Sequence, residues 1–185
     1  MKEIRQIPKA VFSLADLRKI SRLKESSLKI ALSRAVKTGE ILRLAGGLYS
    51  RDFKNVSWEN LAISIYEPSY VSFESALNFY NILSQQSAVL SLATVKRAKK
   101  ISIYDQIISY RHLRRNLFWG YKKKDNFLLA EAEKAFLDLA YISLNGYGHF
   151  APEEMNLKLL DVKKIKKYLS RFNNSRLEKI VMKVL

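Results

Sequence analysis

The 185-residue chain contains no cysteine, which excludes disulfide bonds, zinc fingers and thiol catalysis. Histidine is nearly as scarce: His112 and His149 are the only two, and their separation does not match the spacing of metal ligands. No apolar run approaches the roughly 20 residues of a membrane span, and the first residues lack the apolar core of a signal peptide. We therefore expect a soluble, cytoplasmic protein with no membrane partner.

Acidic residues are also few relative to basic ones. Seventeen Asp and Glu oppose 33 Lys and Arg, which gives a formal net charge of +16 and a pI near 10. This balance favours a polyanionic partner, nucleic acid first and an acidic protein or membrane surface second. The excess is densest in residues 1–51, which hold 12 basic and 4 acidic residues.

Residue patterns typical of catalysis are missing as well. Gly46 and Gly47 lie in a predicted turn rather than before a helix, so they do not form a phosphate-binding loop. Asp161 and Lys163 have the spacing of half a nuclease site, but they lie in an amphipathic helix, which favours a solvated surface. We predict that the protein is not an enzyme and that it uses no metal or cofactor.

Residues 13–37 are predicted to form two helices. Ser13 is a typical N-cap, with Asp16 in the capping-box position, and the first helix should end near Ser21. Its inward residues are predicted to be Leu14, Leu17 and Ile20. The second helix is expected from Lys24 or Glu25 to Lys37, with one apolar stripe formed by Leu28, Ala31, Leu32, Ala35 and Val36.

The opposite face of this second helix is small, polar or basic apart from one isoleucine. Such a face suits the major groove of DNA, because short side chains allow close approach, basic ones hold phosphates and an apolar one can touch a thymine methyl. Gly39 should end the helix. Residues 41–44 and 48–50 should then form a hairpin that serves as a wing. The predicted DNA-binding residues are Lys24, Ser26, Ser27, Lys29, Ile30, Ser33, Arg34, Lys37, Arg43 and Arg51. The alternative is a small helical bundle with an incidental hairpin.

The expected fold class is α+β, with a winged helix-turn-helix in residues 1–54 and a mixed α/β domain with a helical tail in residues 55–185. In the second domain we expect a helix from Ser57 to about Tyr66, where Ser57 is the cap. The remaining helices are predicted at 73–80, 131–144, 161–172 and 175–184. Strands are predicted at 70–72, 88–94, 100–104, 116–121 and 126–130, with residues 122–125 as a charged turn.

Several polar residues of the second domain are given structural roles. Lys134 and Asp138 are four residues apart, which predicts an ordinary helix ion pair worth a few tenths of a kcal/mol. Glu133 should cap a helix or pair within the domain, and Ser72 and Ser75 should cap a helix. Three interpretations stay open for the basic clusters at 96–100, 111–115 and 122–124. They could form a solvated face, extend a DNA footprint or form a docking surface for an acidic partner.

Three blocks of sequence resemble AbiEi-type antitoxins, the regulator halves of AbiE, or type IV, toxin–antitoxin and phage-defence systems. They are the Gly47-Leu48-Tyr49 step at the end of the wing, residues 70–77 (YVSFESAL) and residues 130–138 (AEAEKAFLD). The likeness spans about residues 12–140. The two later blocks, in that order, are much more specific than the winged helix alone.

The resemblance implies a DNA-binding autorepressor that recognises an operator with inverted repeats, alone or in cooperative or dimeric assembly. It also implies that the C-terminal domain counteracts a nucleotidyltransferase-like toxin, by direct binding or otherwise. The alternative function is a protein-interaction module that neutralises a toxin by contact, with the winged helix as scaffold.

Overall fold

The chain divides into two compact units, residues 1–65 and residues 66–185, here called the N-terminal unit and the C-terminal unit. The computed structural model describes residues 11–44, 47–51, 57–84 and 87–185. Within these ranges the protein is mixed α and β, with seven α-helices and two sheets. The domain boundary predicted after residue 54 lies outside the described residues, as does the wing turn at Ala45-Gly46.

The N-terminal unit places two helices before a short antiparallel hairpin. Its described elements are β1 (Val11–Ser13), α1 (Leu14–Ile20), α2 (Glu25–Lys37), β2 (Leu42–Arg43), β3 (Leu48–Ser50) and α3 (Trp58–Ile65). Strand β3 lies between β1 and β2 and is antiparallel to both. The three strands therefore form one small sheet from segments on both sides of the helix pair.

Local signals set the helix boundaries in this unit. The Ser13 and Asp16 capping box is confirmed: Asp16 N–H donates to Ser13 Oγ over 3.2 Å, and Ser13 N–H donates to the Asp16 carboxylate over 2.9 Å. Gly39 follows α2 with φ +71°, a conformation that costs glycine little. Asn60 N–H donates to Ser57 Oγ, which confirms the predicted cap of α3.

The core of the N-terminal unit joins strand and helix residues. Its buried members are Phe12, Leu17, Leu32, Ala35 and Ile41. The prediction for α1 was wrong at one position, since Ile20 is 45% exposed. Ile20 ends a helix of only seven residues, so it lies beyond the part of α1 that packs on the core.

The C-terminal unit contains a six-stranded mixed sheet and four helices in the described residues. The strands are β4 (Ser69–Val71), β5 (Val89–Thr94), β6 (Lys99–Ile103), β7 (Gln106–His112), β8 (Tyr121–Lys124) and β9 (Phe127–Ala130). The helices are α4 (Phe73–Phe79), α5 (Ala132–Ser143), α6 (Val162–Phe172) and α7 (Ser175–Val184), with short 3-10 helices at Arg115–Leu117, Pro152–Glu154 and Leu157–Leu159. The strand order is β6-β7-β5-β4-β9-β8, in which β5/β7 and β4/β9 are parallel and the other pairs antiparallel.

The predicted strands and turns were wrong at three places in this unit. Strand β7 was not predicted, although it pairs with both β5 and β6. Residues 116–121 were predicted as a strand, but the chain there contains a 3-10 turn and β8 begins only at Tyr121. The lysine run predicted as a turn is β8 itself, an edge strand whose lysines are exposed. Charged side chains are tolerated at a sheet edge because they meet water there.

Helix α5 is the most enclosed helix of the C-terminal unit. Ten of its twelve residues are buried, because α4, α6 and α7 all pack against it. The sequence predicted an ordinary helix ion pair for Lys134 and Asp138, so the burial of these charged residues was not anticipated. Among the described residues, no helix is long and apolar enough to cross a membrane.

Candidate functional site

The exposed face of α2 is the candidate nucleic-acid interface. Leu28, Leu32 and Ala35 are buried on the inner side, as the apolar stripe predicts. All five residues predicted on the opposite face are exposed: Ser26, Ile30, Ser33, Arg34 and Lys37. Ile30 is 55% exposed. Helical spacing alone was therefore sufficient to sort this helix into two faces.

A concave surface of about 440 Å³ lies beside this face. Its lining includes Ser27, Ile30 and Arg34 from the predicted set. It also includes Thr38 and Glu40, which sequence reasoning missed. The chain reverses at Gly39, where Glu40 N–H donates to Ala35 O over 2.9 Å, and this reversal returns Glu40 to the helix. The Gly39 signal was visible in the sequence, but the side-chain position after the turn was not.

The amino end of α2 carries a surface ion-pair network. Lys24 is exposed at the N-cap position and makes no side-chain cap hydrogen bond. Glu25 is paired with Lys29 over 2.7 Å and with Arg18 over 3.0 Å. The hydrogen bond from Lys29 and the charges of both bases lower the pKa of Glu25. Lys29, a predicted DNA-binding residue, therefore has an acidic neighbour that competes with phosphate.

The two arginines predicted on the wing are both exposed. Arg43 lies on β2 opposite Tyr49, and Arg51 directly follows β3. The hairpin and the residue that follows it thus carry two basic side chains, and both come after α2 in the sequence. The sheet and the helix come from adjacent segments of the same compact unit.

A second cluster of charged residues lies inside the C-terminal unit. Lys134 and Asp138 of α5 form an ion pair in which both side chains are completely buried. Lys134 Nζ also donates to the hydroxyl of Tyr70 over 3.1 Å. The hydroxyls of Tyr70 and Ser72 both donate to Asp138 Oδ2, over 3.0 and 2.9 Å. Every member of this buried polar cluster therefore has a partner, which burial of charge requires.

Aromatic rings and a glycine enclose the Lys134 ammonium. Nζ lies 5.0 Å from the ring centre of Trp119 and 5.2 Å from that of Phe172, distances at which cations and rings attract. A Cβ on Gly120 would lie 2.9 Å from Lys134 Cγ. Gly120 also has φ +74°, so its lack of a side chain serves both the backbone turn and the space for Lys134.

Burial shifts the pKa of Lys134, Asp138 and Tyr70, the three ionisable members of the cluster. Desolvation lowers the pKa of Lys134 and raises that of Asp138, and their attraction opposes both shifts. Burial and the nearby Asp138 carboxylate raise the pKa of Tyr70 far above its usual range. The charged forms of Lys134 and Asp138 therefore depend on each other inside the cluster.

These contacts overturn three sequence predictions. Lys134 and Asp138 are not an ordinary surface pair, since solvent reaches neither side chain. Ser72 precedes α4 but makes no side-chain cap, because its hydroxyl is committed to Asp138. Ser75 does not cap either: its Oγ accepts from Ser91 N–H over 2.8 Å and donates to Val89 O over 3.2 Å. Each hydroxyl forms its hydrogen bonds with a segment that is distant in sequence.

Two carboxylates at the amino end of α5 form ion pairs with lysines. Glu133 is paired with Lys164 over 2.7 Å, and Glu131 with Lys122 and Lys164. Burial raises the pKa of Glu131, but hydrogen bonds from Lys122 and Tyr168 and the Lys164 charge outweigh it, so the pKa is lowered overall. These contacts join α5 to β8 and α6, which confirms the expectation that Glu133 pairs within the domain.

The basic clusters predicted at 96–100 and 111–115 meet around a groove of about 680 Å³. Strand β6, strand β7 and the carboxyl end of α5 form its walls. Its lining contains Lys99, Lys100, Arg111 and Arg114, and no acidic residue among those the structure describes. Arg111 is held by Glu74 over 2.9 Å. The lysines at 122–124 do not line this groove.

The residues considered for catalysis have ordinary structural partners. His112 Nδ1 lies 3.0 Å from Lys96 O, so this nitrogen carries the proton and donates. The Asp161 carboxylate caps α6 by accepting from the backbone N–H groups of Lys163 and Lys164. Within the described ranges, no three acidic or histidine side chains are grouped to hold a metal ion.

Comparison of the chain with models of protein families and with curated proteins gives no match. The likeness to AbiEi-type antitoxins therefore stays a prediction based on the three sequence blocks quoted above.

Proposed function

We propose that this protein is a DNA-binding transcriptional regulator whose N-terminal unit is a winged helix-turn-helix. In this proposal α2 is the recognition helix, and the hairpin of β2 and β3 is the wing. The observation that carries the proposal is the exposed face of α2, which combines small polar side chains with Ile30, Arg34 and Lys37. This composition suits contact with base edges, a thymine methyl and phosphates.

The element order and the charge support the same function. A strand, two helices and a hairpin whose second strand pairs back with the first strand form the order expected around a helix-turn-helix with a wing. Residues 1–51 hold 12 basic and 4 acidic residues, which favours binding to a polyanion. Arg43 and Arg51 are exposed and would bind DNA phosphates beside the major groove.

We further propose that the regulator is the antitoxin of an AbiE-like, or type IV, toxin–antitoxin system involved in phage defence. The sequence blocks at 70–77 and 130–138 support this assignment. In the structure these two blocks meet through Tyr70, Ser72, Lys134 and Asp138. Under this proposal the protein is not an enzyme, and it counteracts a nucleotidyltransferase-like toxin.

A titration with the DNA upstream of its own gene, at two salt concentrations, tests the regulator. We expect specific binding that weakens steeply with salt, because each bound phosphate releases counterions. The double variant Arg34→Ala with Lys37→Ala should weaken binding and reduce the salt slope by about two, roughly one for each phosphate that the variant can no longer neutralise.

A matched control removes two exposed lysines of α7, Lys179→Ala with Lys183→Ala, which carry the same charge on a helix of the C-terminal unit. This control should bind upstream DNA as the wild type does. If the α2 variant also binds as tightly as the wild type, the recognition-helix assignment is wrong.

The second candidate function is a protein-interaction module that neutralises a toxin by direct contact. The groove at β6 and β7, lined by four basic and no acidic described residues, favours it because an acidic protein surface would fit there. Co-purification of a stable complex with the adjacent gene product, together with no preference for upstream DNA, would select this function over the first.

A further inference from the structure

We infer that the groove between β6, β7 and the carboxyl end of α5 binds a nucleoside phosphate, either a free nucleotide or the terminal nucleotide of a single strand. The lining of this site contains no residue of α2, and the inference does not depend on the proposed function. Its volume of about 680 Å³ lies within the range of small-molecule sites.

One wall of the groove carries cations that have no acidic partner among the residues the structure describes. Lys100 pairs in register with Ser109 on β7, so both side chains point to the same face of the sheet. Arg114 follows Leu113, which is completely buried and whose N–H donates to Thr94 O over 2.8 Å. Neither Lys100 nor Arg114 has an ion pair with any residue that the structure describes.

A third cation on this wall is held in place. The Arg111 guanidinium is paired with Glu74 and lies 5.1 Å from the ring centre of Phe73. Its charge is therefore largely balanced. Lys99 Nζ lies 5.4 Å from the ring centre of Tyr66, so Lys100 and Arg114 are the groups that we assign to the anion. Unpaired cations in a concavity without carboxylates attract phosphate more strongly than the same residues on an open face.

The other wall is aromatic and polar but not basic. Tyr147 is 76% exposed and stacks on no other ring among the described residues. Tyr141 and Asn145 lie one turn apart at the end of α5, where Asn145 Nδ2 donates to Tyr141 O over 3.0 Å. An exposed tyrosine beside an amide can stack a base and hydrogen-bond its edge.

The two walls differ in charge, and this difference favours one class of ligand. The carboxyl end of a helix has negative character, so phosphate is favoured at the strand wall and disfavoured at the α5 wall. A nucleoside phosphate has the same division into an anionic end and an aromatic end. An acidic protein surface, the ligand of the second candidate function, would pair with the cations but would leave the tyrosine wall without a partner.

Calorimetric titration of the full chain with ATP, inorganic pyrophosphate and a 5′-phosphorylated single-stranded oligonucleotide tests the inference. ATP or the oligonucleotide should bind more tightly than pyrophosphate. The double variant Lys100→Ala with Arg114→Ala should weaken nucleotide binding about tenfold or more, because each removed side chain would donate a charge-assisted hydrogen bond to phosphate. The tighter of the two nucleotide probes identifies the source of the ligand.

Two further variants separate the walls. Tyr147→Ala should weaken ATP binding about fivefold or more because the base would have no ring to stack on, and it should leave pyrophosphate binding unchanged. Lys123→Ala with Lys124→Ala removes two exposed charges from β8, outside the groove, and should change neither.

Three outcomes would overturn the inference. These are no nucleotide binding at millimolar concentration, pyrophosphate binding as tight as ATP binding, and equal weakening by the β8 control variant. A fourth outcome uses the Arg34→Ala, Lys37→Ala variant to remove the proposed duplex site. If duplex DNA still displaces ATP from that variant, the groove is a duplex-phosphate surface instead.

Discussion

Two lysine–carboxylate pairs in this protein have the same helical spacing and opposite environments. Glu25 and Lys29 lie on α2 with side chains 42% and 62% exposed. Lys134 and Asp138 lie on α5 with side chains that are fully buried. The α2 pair has the favourable order for the helix dipole, with the acid first, whereas the α5 pair has the reverse order. Helix geometry therefore does not explain the α5 pair; its enclosure by other segments does.

The comparison shows that burial determines the cost of removing one charge of an ion pair. An exposed pair can lose one partner to water with little change in stability. A buried pair that loses one partner leaves an uncompensated charge in a medium that solvates it poorly. We therefore expect substitutions at the buried pair to change stability far more than substitutions at the exposed pair.

Lys134→Met should lower the free energy of unfolding by about 3–5 kcal/mol, because Asp138 would remain buried without its cation. Urea unfolding of the full chain measures this decrease. The double variant Lys134→Met with Asp138→Leu should recover part of it, since neither charge then needs a partner. A decrease below about 1 kcal/mol in the single variant would put this pair in the range of surface pairs and contradict the comparison.

Gly120→Ala should destabilise the protein more than Gly146→Ala does. Both glycines have positive φ, +74° and +78°, so both alanines carry a similar backbone cost. Only at position 120 would the new Cβ crowd the Lys134 side chain. The difference between the two variants should be about 1–3 kcal/mol, as expected for overpacking. Equal unfolding midpoints would mean that Lys134 moves aside without cost.

Glu131→Gln should flatten the acid side of the stability profile. The pKa of Glu131 is lowered in the folded protein, so folding is favoured by its ionisation. That contribution is fully present above its ordinary pKa of about 4.3 and is lost as the pH falls through the lower folded value. Thermal unfolding between neutral and acidic pH should therefore show a shallower decline for the variant. Parallel profiles would contradict this role.

Glu25→Gln should leave the unfolding midpoint unchanged, since its carboxylate is a surface partner of Arg18 and Lys29. Under the proposed function, the same variant should tighten DNA binding by removing a negative charge beside the predicted phosphate-binding residues. A stability decrease comparable to that of Lys134→Met would mean that the two pairs are equivalent after all.

Much of the N-terminal unit could be predicted because its signals are local. The capping box of Ser13 and Asp16, the stripe of α2 and the turn at Gly39 each depend on residues a few positions apart. The exposed face of α2 follows from the same periodicity. Strand β7 was harder to predict, because the Tyr104-Asp105 turn that joins it to β6 contains no glycine or asparagine, and its parallel pairing with β5 has no signal in neighbouring residues.

Local sequence patterns were sufficient to predict the mixed α and β composition, most helix boundaries, the basic charge and the two faces of α2. The burial of the charged residues of α5, and the groove that the basic clusters at β6 and β7 share, depend on how distant segments pack. Lys134 is isolated from water by Tyr70, Trp119 and Phe172, which are distant from it in sequence. Periodicity reports which residues share a face, but the packing of distant segments decides whether that face meets water.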